Sequence, residues 1–363
     1  MSEKGSLAIT MIATPWFALP PGAYGGIEAM CAELVDGLVE LGHRVTVIGV
    51  GHNGTKGRFI ATDDSPAGAR RLGNAGPEAL HAARAARVLR TLDSDVIHDH
   101  STVGPLQAAQ RRAPTVVTAH GPVTGETGRY YRALHDTVHM VAISHAQQVQ
   151  TPDIVWSGQV HNALRTTQYP YRDRKGDYVL FLGRIAADKG VHLAIDAARD
   201  AGLPLTIAGG CNDPAEEPYI DEELRPRMGD DVRWIGEADR RTKLDLLAGA
   251  RCLLFPIQWE EPFGMVMIEA MACGTPVVAL RRGSVPEIVE QGVTGFICDH
   301  PAELAHAIDS VDRLDPHACR GRVHRHFDTE QMAAAYAVLY QELRGGTRAA
   351  VTGGAVRQVT GHR

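Results

Sequence analysis

The sequence predicts an α/β chain of two Rossmann-like domains, and three observations carry that prediction. A length of 363 residues exceeds one ordinary core and suits two α/β domains. Short apolar runs of strand type alternate with helical stretches, and the runs end in turns rich in Gly, Pro or His. The alternation stops over residues 164–176 and then restarts, so the pattern is doubled.

The elements of the first half follow in order. Leu7 to Ala13 is a short strand, Thr14 to Gly26 breaks it with three prolines and three glycines, and Ile27 to Leu41 is a helix. The break is not the dinucleotide fingerprint G-x-G-x-x-G, which disfavours a nicotinamide cofactor. Gly25 and Gly26 can still bring bare amides to a phosphate at the helix start, or simply make a tight turn. Arg44 to Val50 is a strand, and His52 to Gly76 reads as a mostly irregular, mobile stretch. The helix from Pro77 to Leu92 carries Arg84, Arg87 and Arg90, a spacing that suits a solvated face. Strands at Asp95 to His98 and Thr115 to Ala119 end near His98, His100 and His120, at the edge where open α/β sheets bind ligands. Those histidines suit substrate contact, with a metal site as the lesser alternative. Val138 to Ile143 is a further strand, Ser144 and His145 start a helix, and Val160 to Asn162 completes the first domain.

The second half repeats the rhythm. Tyr178 to Leu182 is a strand, and Gly183, Arg184 through Lys189, Gly190 lead into the helix Val191 to Asp200. Arg as a planar fork and Lys as a movable charge, one at each side of such a loop, can embrace a diphosphate; ordinary surface charge reads equally well. Leu205 to Ala208 and Val232 to Ile235 are strands, the second ending in Gly236, and Arg241 to Ala250 is a helix. Pro276 to Leu280 and Phe296 to Cys298 are the last strands. Gly283 to Glu287 between them offers amides and an acid. Helices at Ala302 to Val311 and Glu330 to Leu343 close the fold.

The densest chemistry lies from Phe255 to Pro276. A strand ends at Phe255, Pro262 and Gly264 set a loop, and Met265 to Cys273 is a helix closed by Gly274. Were the helix to begin at Glu261, that residue and Glu269 would project within about 80° of each other. The amides of Gly264, Met265 and Val266 can hold an anion beside them. A carboxylate to grip hydroxyls next to a phosphate seat points to a sugar nucleotide; two acids solvated at helix ends is the plainer alternative.

The net charge of −6 gives no reason to expect nucleic acid or strong attraction to an anionic membrane. Six cysteines without C-x-x-C pairing suit free thiols in a reducing cytoplasm. No signal-peptide core and no bilayer-length apolar run are found, so a cytoplasmic location is expected, with peripheral membrane contact left open. Only five lysines occur, at 4, 56, 175, 189 and 243.

These residues together resemble the retaining glycosyltransferases of family four, whose GT-B fold has two facing Rossmann-like domains and an active site in the interdomain cleft. Glu261 through Glu269 is similar to that family's E-x7-E motif, continued by Ala270 to Pro276; Gly25 and Gly26 with Glu28, the Gly183 to Gly190 loop and Gly283 to Glu287 support it. The resemblance implies an N-terminal acceptor-binding domain over 1–163, a linker over 164–176 and a nucleotide-sugar domain over 177–326. A C-terminal helix over 327–344 would pack back towards the first domain, and 345–363 would be a flexible tail. Arg184 and Lys189 then stabilise the departing diphosphate. Glu269 binds the ribose, and Glu261 with the backbone from Phe263 to Val266 holds donor-sugar hydroxyls and diphosphate, with Gly236 also at the donor site. Gly25 and Gly26 close on the phosphates, and His120 stands beside the transferred sugar.

No metal and no cofactor beyond the nucleotide-sugar donor, preferably a UDP-sugar, are implied. The departures are Pro262, where many relatives have Gly, and Asn162, Ala163, Leu164, Arg165, where the family often reads Asn-Gly-Val-Asp. The loop with Phe17, Pro20, Pro21 and Tyr24 is similar to a subset whose acceptors are small metabolites. The function implied is transfer of a sugar to an acceptor hydroxyl of a small metabolite or glycoside, by front-face attack with retention. A nucleotide-sugar epimerase and a non-catalytic sugar-nucleotide sensor are the alternatives: epimerised donor released without acceptor marks the first, binding without turnover the second.

Overall fold

The computed structural model describes residues 5–22, 25–211 and 213–345. It separates into two compact units: one joins the chain up to Ala163 with the residues from Thr329, and the other spans Leu164–Asp328.

The first unit is built on a seven-stranded parallel sheet: β1 (Ala8–Ile12), β2 (Arg44–Val50), β3 (Arg58–Asp63), β4 (Val96–Asp99), β5 (Thr115–Ala119), β6 (His139–Ala142) and β7 (Trp156–Gln159). Their order is β3-β2-β1-β4-β5-β6-β7, so the direction of winding reverses between β1 and β4. Central strands β1, β4 and β5 are buried almost throughout, as apolar runs covered on both faces must be. The helix Gly26–Glu40 supplies Met30, Leu34 and Leu38 to the core, and the C-terminal helix Thr329–Arg344 adds Met332, Tyr336 and Tyr340 to the same cluster.

The second unit has six parallel strands: β8 (Val179–Leu182), β9 (Leu205–Ala208), β10 (Val232–Trp234), β11 (Cys252–Phe255), β12 (Val277–Leu280) and β13 (Gly295–Cys298). Their order is β10-β9-β8-β11-β12-β13, the doubly wound order whose reversal, between β8 and β11, opens the crevice where such sheets bind ligands. The loops after β8 and β11 carry the Arg184–Lys189 and Glu261–Glu269 segments.

Several expectations are corrected. The stretch 52–76, read as irregular, contains β3, because edge position leaves its side chains half exposed and erases the apolar signal. It is pinned by the helix Ala75–Leu89, from which Arg84 donates to Thr62 O at 2.7 Å and pairs with Asp63 at 2.5 Å. Helices at Gly125–Leu134 and Pro316–His326, and the helical turns between Pro214 and Arg227, escaped the pattern; they are polar or interrupted by Gly and Pro. Residues 164–176, read as a linker, cluster with the second unit. Arg320 donates to the carbonyls of Thr166 (3.0 Å), Tyr169 (2.9 Å) and Ala272 (2.6 Å), and Lys175 to those of Ala248 (3.2 Å) and Cys273 (3.0 Å). Charge-assisted bonds of that number hold the segment down. From residue 346 the expected tail lies outside the described residues, as does Tyr24. Among the described residues no helix is long and apolar enough to cross a membrane. All six cysteines are free thiols, and all but Cys211 are buried.

Candidate active site

The reversal point of the second sheet is assembled by two close backbone approaches. Gly190 ends the turn Ala187–Lys189 at φ 70°, and a Cβ there would lie 2.1 Å from the Pro256 carbonyl oxygen. Only glycine fits both the left-handed backbone and the space. Gln258 N donates to Asp188 O at 2.8 Å, so the loops after β8 and β11 run against each other. Lys189 Nζ consequently donates to Glu261 Oε2 and lies 5.0 Å from the Trp259 ring centroid. Arg184 pairs with Asp188 at 3.2 Å and Glu216 at 3.6 Å.

The second approach fixes Glu261 from behind. Gly283, at φ 48°, would place a Cβ 2.1 Å from Glu261 O, and Ser284 N donates to that oxygen at 3.0 Å. Gly283 N donates to Glu260 Oε2 at 2.6 Å. These amides, read as free for a ligand, are thus spent on the 260–261 backbone and side chain. The helix itself is Met265–Ala272, preceded by Gly264 at φ 79°. Glu261 therefore precedes the helix, and the angular argument for a shared face does not hold; each glutamate is placed by its own contacts. At its first turn Met267 N donates to Gly264 O at 3.1 Å, while the amides of Met265 and Val266 have no acceptors within the helix. Phe263 is a core side chain, 2% exposed, whose carbonyl accepts from Ser284 Oγ at 2.7 Å.

Glu269, inside the helix, accepts from Lys243 Nζ at 2.6 Å and from Tyr169 OH at 3.4 Å, both on Oε1. The two carboxylates are thus each paired with one of the five lysines. Side-chain exposure is 19% and 15% for Lys189 and Glu261, and 28% and 11% for Lys243 and Glu269. Lys243, Tyr169 and Trp259 were missed from sequence; the scarcity of lysine that singled out Lys189 applied equally to Lys243. Gly236 follows the edge strand β10, and its carbonyl accepts from Gly209 N at 2.8 Å.

In the first unit, Gly25 precedes the helix Gly26–Glu40 at φ 138°. Glu28 on its first turn is buried and accepts from Thr14 Oγ1; burial pushes its carboxyl pKa up. His100 and His120 follow adjacent strands β4 and β5, and His100 Nδ1 lies 2.9 Å from His120 Nε2. Gln147 donates to Ala119 O and Gly121 O, both at 2.8 Å, clamping the carbonyls on either side of His120. Burial lowers the pKa of His120 to about 4, and those of His98 and His100 well below the usual value, so all three are neutral near pH 7. Among the described residues no three His, Cys, Asp or Glu side chains are grouped to hold a metal ion.

Residues 170–319 match the family "Glycosyl transferases group 1" and residues 24–153 match "Glycosyltransferase Family 4". A solved structure of AviGT4, a glycosyltransferase involved in avilamycin A biosynthesis, superposes with a TM-score of 0.72 at 26% identity, covering 94% of this chain and 98% of that one. The architecture is GT-B. The GT-B chain carries two glycosyltransferase-family domains, one in each unit. Among curated relatives, a glycogen synthase of Mycobacterium tuberculosis is 34% identical over 207 residues, 52% of this chain and 49% of that protein. A D-inositol 3-phosphate glycosyltransferase of Corynebacterium efficiens is 32% identical over 203 residues, 51% and 46% of the two chains. The match spans about half the length of each of these two relatives.

Proposed function

We propose that this protein is a retaining glycosyltransferase that moves a sugar from a nucleoside diphosphate sugar, with uridine the preferred base, to a hydroxyl of a small metabolite or glycoside. The observation that carries the reading is the pairing of Lys189 with Glu261 beside the N-terminus of the Met265–Ala272 helix, at the reversal point of the second sheet. Lys189 reaches Glu261 just ahead of a helix whose first amides have no acceptors within it, and Arg184 lies on the same loop, paired with Asp188 and Glu216; in this reading the two cations and the amides form the seat for a diphosphate. Both cations are held by carboxylates here, so donor binding is an exchange: phosphate oxygens replace Glu261 on Lys189, and Glu261 turns to sugar hydroxyls. Glu269 keeps one oxygen on Lys243 and grips ribose hydroxyls with the other.

In the transfer, the bond between the anomeric carbon and the phosphate oxygen breaks, and the acceptor oxygen bonds that carbon on the same face. The acceptor's proton passes to the leaving phosphate oxygen. Negative charge grows on the diphosphate, where Arg184 and Lys189 meet it without a divalent metal; preorganised charge of this kind is usually the largest catalytic contribution. His120 contacts the transferred sugar, and Gly25 and Gly26 give amides to the phosphates. A small acceptor accords with the names of the inositol phosphate and avilamycin relatives, and free thiols accord with a cytoplasmic setting.

The test is a thermal-shift screen of nucleotide sugars, followed by mass spectrometry of acceptors with the stabilising donor and by the anomeric configuration of the product. Nucleoside diphosphate release that requires acceptor, with retained configuration, is expected. Epimerised donor formed without acceptor, or an inverted product, would overturn the reading.

A further inference from the structure

The first unit contains a buried polar chain that the proposed reaction touches only at its outer end. His98 Nδ1 is 2.6 Å from Tyr340 OH, and His98 Nε2 is 2.8 Å from Thr118 Oγ1, which is 2.7 Å from Tyr336 OH. Both tyrosines belong to the Thr329–Arg344 helix. With both ring nitrogens bonded, His98 is fixed in orientation, and its ring lies 3.9 Å, centroid to centroid, from that of His100. His100 is 5% exposed, and its backbone N–H donates to Ile12 O at 2.9 Å. His100 is therefore held from its backbone and its face, and its Nδ1 meets His120 Nε2.

A neutral imidazole carries one proton, so in this contact one ring donates and the other accepts. If His120 Nε2 donated, the single proton of His100 would sit on Nε2, which is buried and has no hydrogen-bond partner among the described residues. A buried orphan N–H is rarer than a buried acceptor left bare. If His100 Nδ1 donates instead, only a lone pair is left unpaired.

We infer that His100 is a positioning residue for His120: its Nδ1–H donates to His120 Nε2, so His120 carries its own proton on Nδ1. His120, which is half-buried, then offers an N–H at Nδ1 and has no free lone pair with which to accept a proton. It is a hydrogen-bond donor towards a sugar oxygen or a phosphate, and the proton of the acceptor goes to the leaving phosphate. The role in transfer rests on the reading of His120 given above; the tautomer does not.

The experiment uses the full chain with 15N-labelled histidine, reading two-bond proton–nitrogen correlations, with His120 assigned by comparison with His120→Gln. The expected result is His120 protonated at Nδ1, moving towards the Nε2–H form in His100→Ala. His100→Asn, whose amide nitrogen sits close to the position of Nδ1, should restore it. In His100→Ala kcat should fall about tenfold, the value of one ordinary hydrogen bond, with donor KM nearly unchanged. An Nε2–H form in the unaltered protein, or a tautomer indifferent to His100→Ala, would overturn the inference. Should His100→Ala not fold, the unaltered protein and His100→Asn decide. No turnover with any donor alongside the expected tautomer would sink the transferase reading alone.

Discussion

The lysine–glutamate pairs of the second unit and the histidine chain of the first solve the same problem in opposite ways. Both gather titratable groups at the carboxyl edge of a parallel sheet. In the second unit charge is kept, because each carboxylate has a cation within reach and both partners retain contact with water. In the first unit charge is shed, because burial disfavours the charged forms of His98, His100 and His120, and hydroxyls bond both nitrogens of the neutral His98 ring. A partly exposed pair costs little to open and can exchange one partner for a phosphate. A buried neutral chain is costly to rearrange and so preserves geometry.

Four experiments would break or sharpen that contrast. The largest effect is expected for Lys189→Ala: loss of a charge aimed at the leaving diphosphate should lower kcat about 10²- to 10³-fold, measured as nucleoside diphosphate release. Turnover within tenfold of the unaltered protein would remove Lys189 from the mechanism. The next concerns pH and stability. Burial lowers the pKa of His120 in the folded protein to about 4 from its ordinary value of 6.5, so below pH 6.5 the unfolded state takes up protons that the folded state refuses. Stability is full above that value and falls as pH drops towards 4, by on the order of 2–3 kcal/mol for this group at the lower end, and His98 and His100 act in the same direction. Denaturant melts between pH 7 and 4 that failed to weaken, or that steepened only through the carboxylates in a His120→Gln control, would contradict the neutral chain.

Third, Glu269→Ala should weaken nucleoside diphosphate binding about tenfold or more, the loss of charged hydrogen bonds, as read by calorimetry. Unaltered affinity would separate the Lys243–Glu269 pair from the donor site. The smallest effect is expected for Tyr336→Phe, which removes only the hydroxyl bonded to Thr118: about 1 kcal/mol in denaturant unfolding. No change there would mean that the hydroxyl chain does not stiffen the histidines.

Much of the architecture was legible without coordinates, and the exceptions are instructive. Strands such as Thr115–Ala119 and Leu205–Ala208 sit where their apolar runs put them, because central parallel strands are buried on both faces and leave an uninterrupted signal. β3 left none, since an edge strand needs no such run. At the candidate site, Glu261, Glu269, Arg184 and Lys189 stood out by residue type and spacing. Lys243, Tyr169 and the two tyrosines of the last helix did not, because a lysine or tyrosine on a helix has an innocent explanation wherever no partner is known.

By itself, then, the sequence determined the doubled α/β pattern, the glycine-bounded loops at strand ends, and the acids and cations that those loops carry. These are written locally, in periodicity and turn chemistry. The tertiary structure alone decided that Lys189 meets Glu261 72 residues on, that Lys243 meets Glu269 26 residues on, and that Tyr340 reaches His98 across 242. Such meetings depend on strand order and on close backbone approach at Gly190 and Gly283. In a parallel sheet, neighbouring strands are joined only by long crossovers, so adjacency has no short-range signature in the chain.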